Sequence, residues 1–279
     1  MDVLDSMTAM DAQLHQAPSS LPVINMFWIG PQIGLIERLS MVSFLAAGHS
    51  VQLHAYDEVA GLPEGVTLVD ADLTVERDYG LSLLGGRRGA PAILADYFRM
   101  ALQLKGAGIW ADADMLCVKP LTIVPHEPLF GLHSPQTINN AIVYLPPDSP
   151  IAADIIAGFA PNAIPKWLNF NRKRQLWTKR LIGQNIAPTD HFWTTFGPQA
   201  LTELAKTYRV FDLAAPIDVF YPYNHHRAFE VLLPETDIAQ FMTERTLCVH
   251  LWNNELKSVR DEQPASTSAI GRLLTAYGL

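Results

Sequence analysis

Asp112-Ala113-Asp114 follows the short apolar segment at 108–111 and sets two carboxylates two positions apart. On an extended backbone such residues point to one side, roughly 6.6 Å apart along the strand. Carboxylates that close repel each other, and a pKa rises unless a cation joins them. A divalent ion held by one or two carboxylates plus phosphate oxygens is the usual magnesium or manganese arrangement, and it suits the departure of a diphosphate. The pattern alone is weak. Seventeen Asp among 279 residues make such a pair expected by chance, and a second one, Asp70-Ala71-Asp72, also follows an apolar run. Context separates the two. Upstream of Asp112 lies a largely apolar helical segment, PAILADYFRMALQLKG, with Asp96 and Arg99 three positions apart and so on one face. They form an intrahelical ion pair or line a polar pocket, because burying either charge unpaired is costly. Asp70 has no such neighbourhood.

Positioning these groups requires a scaffold, and the rest of the sequence supplies its outline. Apolar runs at 22–29, 51–56 and 66–71 read as strands, with a helix over 33–47 between the first two. Pro91 opens and Gly106 closes the helix at 91–105. Further strands are expected at 108–112, 128–133, 141–146 and 246–252, with helices at about 149–159 and 198–207. Alternation of strands and helices predicts an α/β fold with a mainly parallel sheet, whose ligands sit beyond the carboxyl ends of the strands. The expected organisation is a loose lead-in over 1–20 and one domain over 21–279, with a helical insertion at about 150–190. The Gly-rich stretch at 85–89 matches no phosphate-binding fingerprint.

Composition narrows the function classes. Hydrophobic residues make up 49% and charged residues 17%, which excludes a disordered or fibrous chain. A net charge of −8 argues against a broad nucleic-acid surface. No apolar stretch reaches the roughly 18 residues of a spanning helix, and the acidic N-terminus lacks the pattern of a signal peptide. Two cysteines far apart, Cys117 and Cys248, make a reducing cytosol the default expectation. One segment departs from the acidic whole: residues 161–190 hold six basic residues against a single acid, Asp190. A helical wheel over 165–182 puts Trp167, Leu168, Phe170, Trp177, Leu181 and Ile182 opposite Arg172, Lys173, Lys179 and Arg180. That is a basic amphipathic helix, either a lid packed over the active site or a surface for peripheral contact with the inner face of a membrane.

The string ADYFRMALQLKGAGIWADADMLCVKPL, residues 95–121, resembles the DXD-containing sugar-binding region of a glycosyltransferase family. That family includes bacterial capsule and lipopolysaccharide sugar transferases, fungal initiating mannosyltransferases and, distantly, clostridial glucosylating toxins. The opening NMFWIG, Phe196-Gly197-Pro198 and the late CVHLWNNEL fit the same family, so the resemblance spans roughly 22–255 and is sparse between 150 and 190. It implies a GT-A-like fold, a nucleotide-sugar donor (UDP favoured over GDP), a Mn2+ or Mg2+ cofactor and retention of anomeric configuration.

Carried over, the resemblance puts Phe27 and Trp28 at the nucleotide base and Asp96 and Arg99 on the donor sugar and phosphate. Asp112 would contact ribose, sugar or a metal-bound water, and Asp114 would bind the metal. His250 would be a further ligand, Trp252 with Asn253 would meet the diphosphate, and Asn139 and Asn140, expected to open a strand, would line the sugar pocket. Trp110, placed among the substrate-binding residues, stands where the family commonly has Tyr and so lacks that hydroxyl. The expected function is transfer of a sugar to a saccharide or glycolipid acceptor in surface polysaccharide or glycoconjugate synthesis. The alternatives are a sugar-nucleotide nucleotidyltransferase and a non-catalytic sugar-nucleotide-binding module.

Overall fold

The structure is a computed structural model that describes residues 21–84, 91–192, 194–256 and 264–279. The lead-in over 1–20 and the Gly-rich stretch at 85–89 lie outside the described residues. Among the described residues, eight strands form two sheets. The larger has six, in the order β3 (Val66–Asp70), β2 (Val51–Ala55), β1 (Ile24–Trp28), β4 (Ile109–Ala111), β7 (Thr137–Tyr144) and β6 (Leu129–Ser134). Its first four strands run parallel, while β7 is antiparallel to both β4 and β6. The fold is therefore α/β with a mainly parallel central sheet, as the alternation of elements predicts. The second sheet is a two-stranded antiparallel ribbon of β5 (Met115–Cys117) and β8 (Cys248–His250).

Helices α1 (Leu35–Ala46), α2 (Arg77–Ser82) and α3 (Ala92–Leu104) punctuate the parallel half. Later in the chain come α4 (Pro150–Ala157), α5 (Phe170–Leu181), α6 (Pro198–Thr207), α7 (Ile217–Phe220) and α8 (Ala269–Ala276). Asn139 and Asn140 lie within β7 rather than at its start, because the hairpin with β6 extends pairing back to Thr137. The basic helix is also shorter than the expected 165–182. Asn169 caps it, its side chain accepting from the Arg172 amide, so Trp167 and Leu168 belong to the preceding turn and are buried.

The two sheets meet where β4 ends and β5 begins, and buried polar groups hold that junction. Gly108 enters β4 at φ +114, where any Cβ would lie 2.5 Å from the Val23 carbonyl, so only glycine lets β4 dock beside β1. Gln103 on α3 donates to the Gly108 carbonyl and accepts from the Leu145 amide, tying the helix to both flanks of β4 and β7. On the other side of the junction, α1 supports β5. Ser40 Oγ donates to the Met115 carbonyl at 2.7 Å, and Ser43 Oγ accepts from the Cys117 amide at 2.8 Å while donating to Ser40 O.

A three-residue strand cannot hold itself in place, so these hydroxyls matter beyond their number. Ser43→Ala leaves the buried Cys117 amide without its acceptor, which costs about 1–3 kcal/mol. The expected result is a lower urea midpoint with an unchanged slope. An unchanged midpoint would mean that β8 alone holds β5.

Candidate active site

The Asp112-Ala113-Asp114 segment is the step from one sheet to the other. It is a turn rather than an extended run, since the Met115 amide donates back to the Asp112 carbonyl at 3.1 Å. The same-side geometry expected of a strand is thus replaced by two carboxylates aimed into different networks. The Asp112 amide donates to Ala141 O on β7, which pins the start of the turn at the carboxyl end of β4.

Asp112 faces α3. Arg99 Nη2 donates to Asp112 Oδ1 at 2.8 Å, and the Trp110 indole donates to the same oxygen at 2.6 Å. Arg99 also lies over the Trp110 ring, 4.6 Å from its centre. Arg99 Nη1 donates to Asp96 Oδ1 at 2.5 Å, and Asn140 Nδ2 donates to that oxygen at 2.8 Å. Asp96 and Arg99 are buried, with side chains 6% and 3% exposed, whereas Asp112 is 31% exposed. One guanidinium therefore serves two carboxylates. Burial pushes the Asp96 carboxyl up to about 6; Arg99 offsets part of that, and the Asp112 charge adds to it.

Gly197, just before α6, abuts this pair. A Cβ there would sit 2.5 Å from Asn140 Nδ2 and 2.9 Å from Asp96 Oδ1, so glycine is what lets the start of α6 close over the ion pair. Asn139 points elsewhere. Its Oδ1 accepts from the Ala141 amide and so stabilises the stretch of β7 on which Asp112 hangs.

Asp114 faces the ribbon. His250 Nε2 lies 3.2 Å from its carboxylate, and the Asn253 amide donates to Asp114 Oδ2 at 2.9 Å. Burial alone would raise the Asp114 pKa, but the His250 charge and these hydrogen bonds outweigh it and hold the group below its ordinary value. His250 moves the other way: burial would lower its pKa, but Asp114 raises it. Reaching Asp114 requires a reversal after β8. Trp252 makes it at φ +55, a left-handed conformation rare for a bulky residue, with its indole donating to Tyr223 O and its ring 3.9 Å from that of His250.

Glu37 of α1 completes this side and was not anticipated by the sequence. Asn253 Nδ2 donates to Glu37 Oε1 at 2.6 Å, so the helix that supports β5 also orients the loop after β8. The one local signal was an acid in the first turn of a helix, which ordinarily marks dipole complementarity.

Ligand atoms of Asp112, Asp114 and His250 lie within 4.8 Å of one another. Two carboxylates and an imidazole are a donor set for manganese, magnesium or a similar divalent ion. The buried Nδ1 of His250 has no hydrogen-bond partner among the described residues, which leaves the ring able to engage a further group. Asp70 and Asp72 have other work. Asp70 accepts from the Asp72 amide and Asp72 from the Arg77 amide, both exposed turn-closing bonds.

The aromatic pair of β1 divides. Phe27 stacks on Phe98 at 4.4 Å and packs with the core, while Trp28 is half-buried at the carboxyl end of the strand with its indole N–H unpartnered among the described residues. No protein-family model matches the chain, and no curated protein matches it. Among solved structures it is similar to one titled PaToxG Glycosyltransferase, at 12% identity and a TM-score of 0.44, over 75% of this chain and 82% of that one.

Proposed function

We propose that the protein is a metal-dependent glycosyltransferase with a GT-A-like fold that uses a nucleotide-diphosphate sugar. The observation that carries this reading is the meeting of Asp112, Asp114 and His250 at the carboxyl end of β4, against the buried Asp96–Arg99 pair. Such a place is where α/β sheets take ligands. The resemblance of residues 95–121 to the sugar-binding region of DXD glycosyltransferases supports the same reading, with a UDP-sugar as the favoured donor and a saccharide or glycolipid as acceptor.

Asp112, Asp114 and His250 would hold Mn2+ or Mg2+, which when bound supplies positive charge against a diphosphate leaving group. Asp96 would accept a hydrogen bond from a donor hydroxyl, in a position set by Arg99 and Asn140. Trp28 would flank the base. Asn253, held by Glu37, would keep Asp114 aimed at the cation, and Trp252 would close the diphosphate end. The protein's part is positioning and charge stabilisation, consistent with retention by front-face transfer, in which the departing phosphate helps to deprotonate the acceptor.

Asp112→Asn and Asp114→Asn should each lower sugar transfer and donor hydrolysis by more than about a hundredfold while the protein stays folded, a loss on the scale of removing a key electrostatic group. Asp70→Asn and Asp72→Asn should be nearly silent, because asparagine also closes such turns. Turnover of labelled UDP- and GDP-sugars by the four variants is the test. Equal losses from both pairs would remove the reason for preferring Asp112 and Asp114.

Cation binding should depend on pH in one direction. An imidazole ligates only when neutral, and Asp114 raises the His250 pKa, so protons compete with the ion from neutral pH downward. Asp114 stays ionised over that range because its own pKa is held low. Manganese affinity, titrated calorimetrically with a nucleoside diphosphate present, should fall by up to about tenfold per pH unit on the acid side, the limit for one competing proton. His250→Gln should bind more weakly and lose most of the slope. A wild-type affinity flat between pH 5.5 and 8 would count against His250 as a ligand.

A further inference from the structure

The apolar side of α5 does not pack over the active site. Leu176 is the helix's only buried residue, whereas Phe170, Trp177, Leu181 and the following Ile182 are 68%, 48%, 87% and 66% exposed. Positions 170, 174, 177 and 181 follow helical spacing, so Phe170, Arg174, Trp177 and Leu181 form one stripe facing away from Leu176. Asn169 caps the helix and Gly183 ends it at φ +75, so the sequence builds this helix deliberately. Single exposed hydrophobics are ordinary, but several large ones along one short helix point to an interaction surface.

Charge decides the occupant. Among the described residues no carboxylate pairs with Arg172, Lys173, Arg174, Lys179 or Arg180; the basic residue of this segment that has one is Lys166, bound to Asp154. The segment over 161–190 thus carries an excess of about five positive charges in a chain of net −8. A second copy of this acidic chain would have to bring a matching acidic, apolar face, whereas an anionic bilayer supplies both negative headgroups and an apolar layer. Trp and Phe suit the boundary between them. No described helix is long and apolar enough to cross a membrane, so the contact would be along the surface.

We infer that α5 is a docking surface for anionic lipid bilayers, lying in the membrane interface through Phe170, Trp177, Leu181 and Ile182 with Arg174 and Arg180 on headgroups. This goes beyond the proposed transfer reaction and stands without it. The test is co-sedimentation of the full chain with vesicles of neutral phosphatidylcholine alone or with a third of phosphatidylglycerol, at low and high salt. Expected are binding to the anionic vesicles at low salt, little to the neutral ones, and loss of binding as salt screens the charges.

Arg174→Ser and Arg180→Ser should each weaken binding by about fivefold, as expected per basic residue at such a surface. The double change Trp177→Ser with Leu181→Ser should remove most of it. All four residues are exposed, and unchanged circular dichroism and melting would verify folding of each variant. Absence of wild-type binding to anionic vesicles at low salt, or binding indifferent to these changes, would overturn the inference. So would wild-type dimerisation in sedimentation runs, abolished by the Trp177/Leu181 double variant, in a protein that ignores vesicles. Donor hydrolysis measured without vesicles should be the same in wild type and variants, which separates failure of the surface from failure of the active site.

Discussion

Three carboxylates crowd one partly buried region of this molecule, and among the described residues a single permanent cation, Arg99, pairs with two of them. Arg99 is shared between Asp96 and Asp112, while Asp114 relies on His250 and a backbone amide. The imbalance shows in the same direction at both ends: burial and the Asp112 charge push Asp96 towards protonation, and Asp114 outweighs burial to push His250 towards holding a proton. Bringing like charges together costs free energy that packing elsewhere must offset. A divalent cation among Asp112, Asp114 and His250 would relieve that repulsion. The same electrostatic deficit that burdens the free protein would give the ion its affinity.

The architecture around the deficit follows from this need. The chain changes sheets at Ala113, so that one carboxylate belongs to the six-stranded sheet and the other to the ribbon. Each side is then held separately. Gln103 and the Gly108 approach fix the sheet side, while Ser40, Ser43 and Glu37, all on α1, fix the ribbon side and the loop after it. Trp252 adopts an unfavourable backbone conformation where Asn253 must turn back to Asp114. Strain of this kind persists only where the surroundings over-determine it.

Away from the site, α5 follows a different rule. It is anchored through one leucine and spends its remaining large apolar side chains on solvent. A helix held through one buried side chain can take changes on its exposed stripe without disturbing the core.

Much of this was legible in the residues. The α/β pattern and the helix bounded by Pro91 and Gly106 rest on local spacing, and the preference for Asp112-Asp114, which the proposed function keeps, rests on neighbours within about twenty positions. So does the basic amphipathic character of the segment around 170–181. Tertiary structure alone decided the rest, because the deciding partners are remote in sequence. The strand β5 is three residues long and exists through β8, more than 130 positions away, and through two serines of α1. The turn at Ala113, the recruitment of Glu37, the left-handed Trp252 and the burial of Asn140 against Asp96 have no periodic signature. Whether the apolar stripe of α5 faced the core or the solvent was likewise open: a wheel orders side chains around an axis, but only the packing of Leu176 fixes which way that axis is turned.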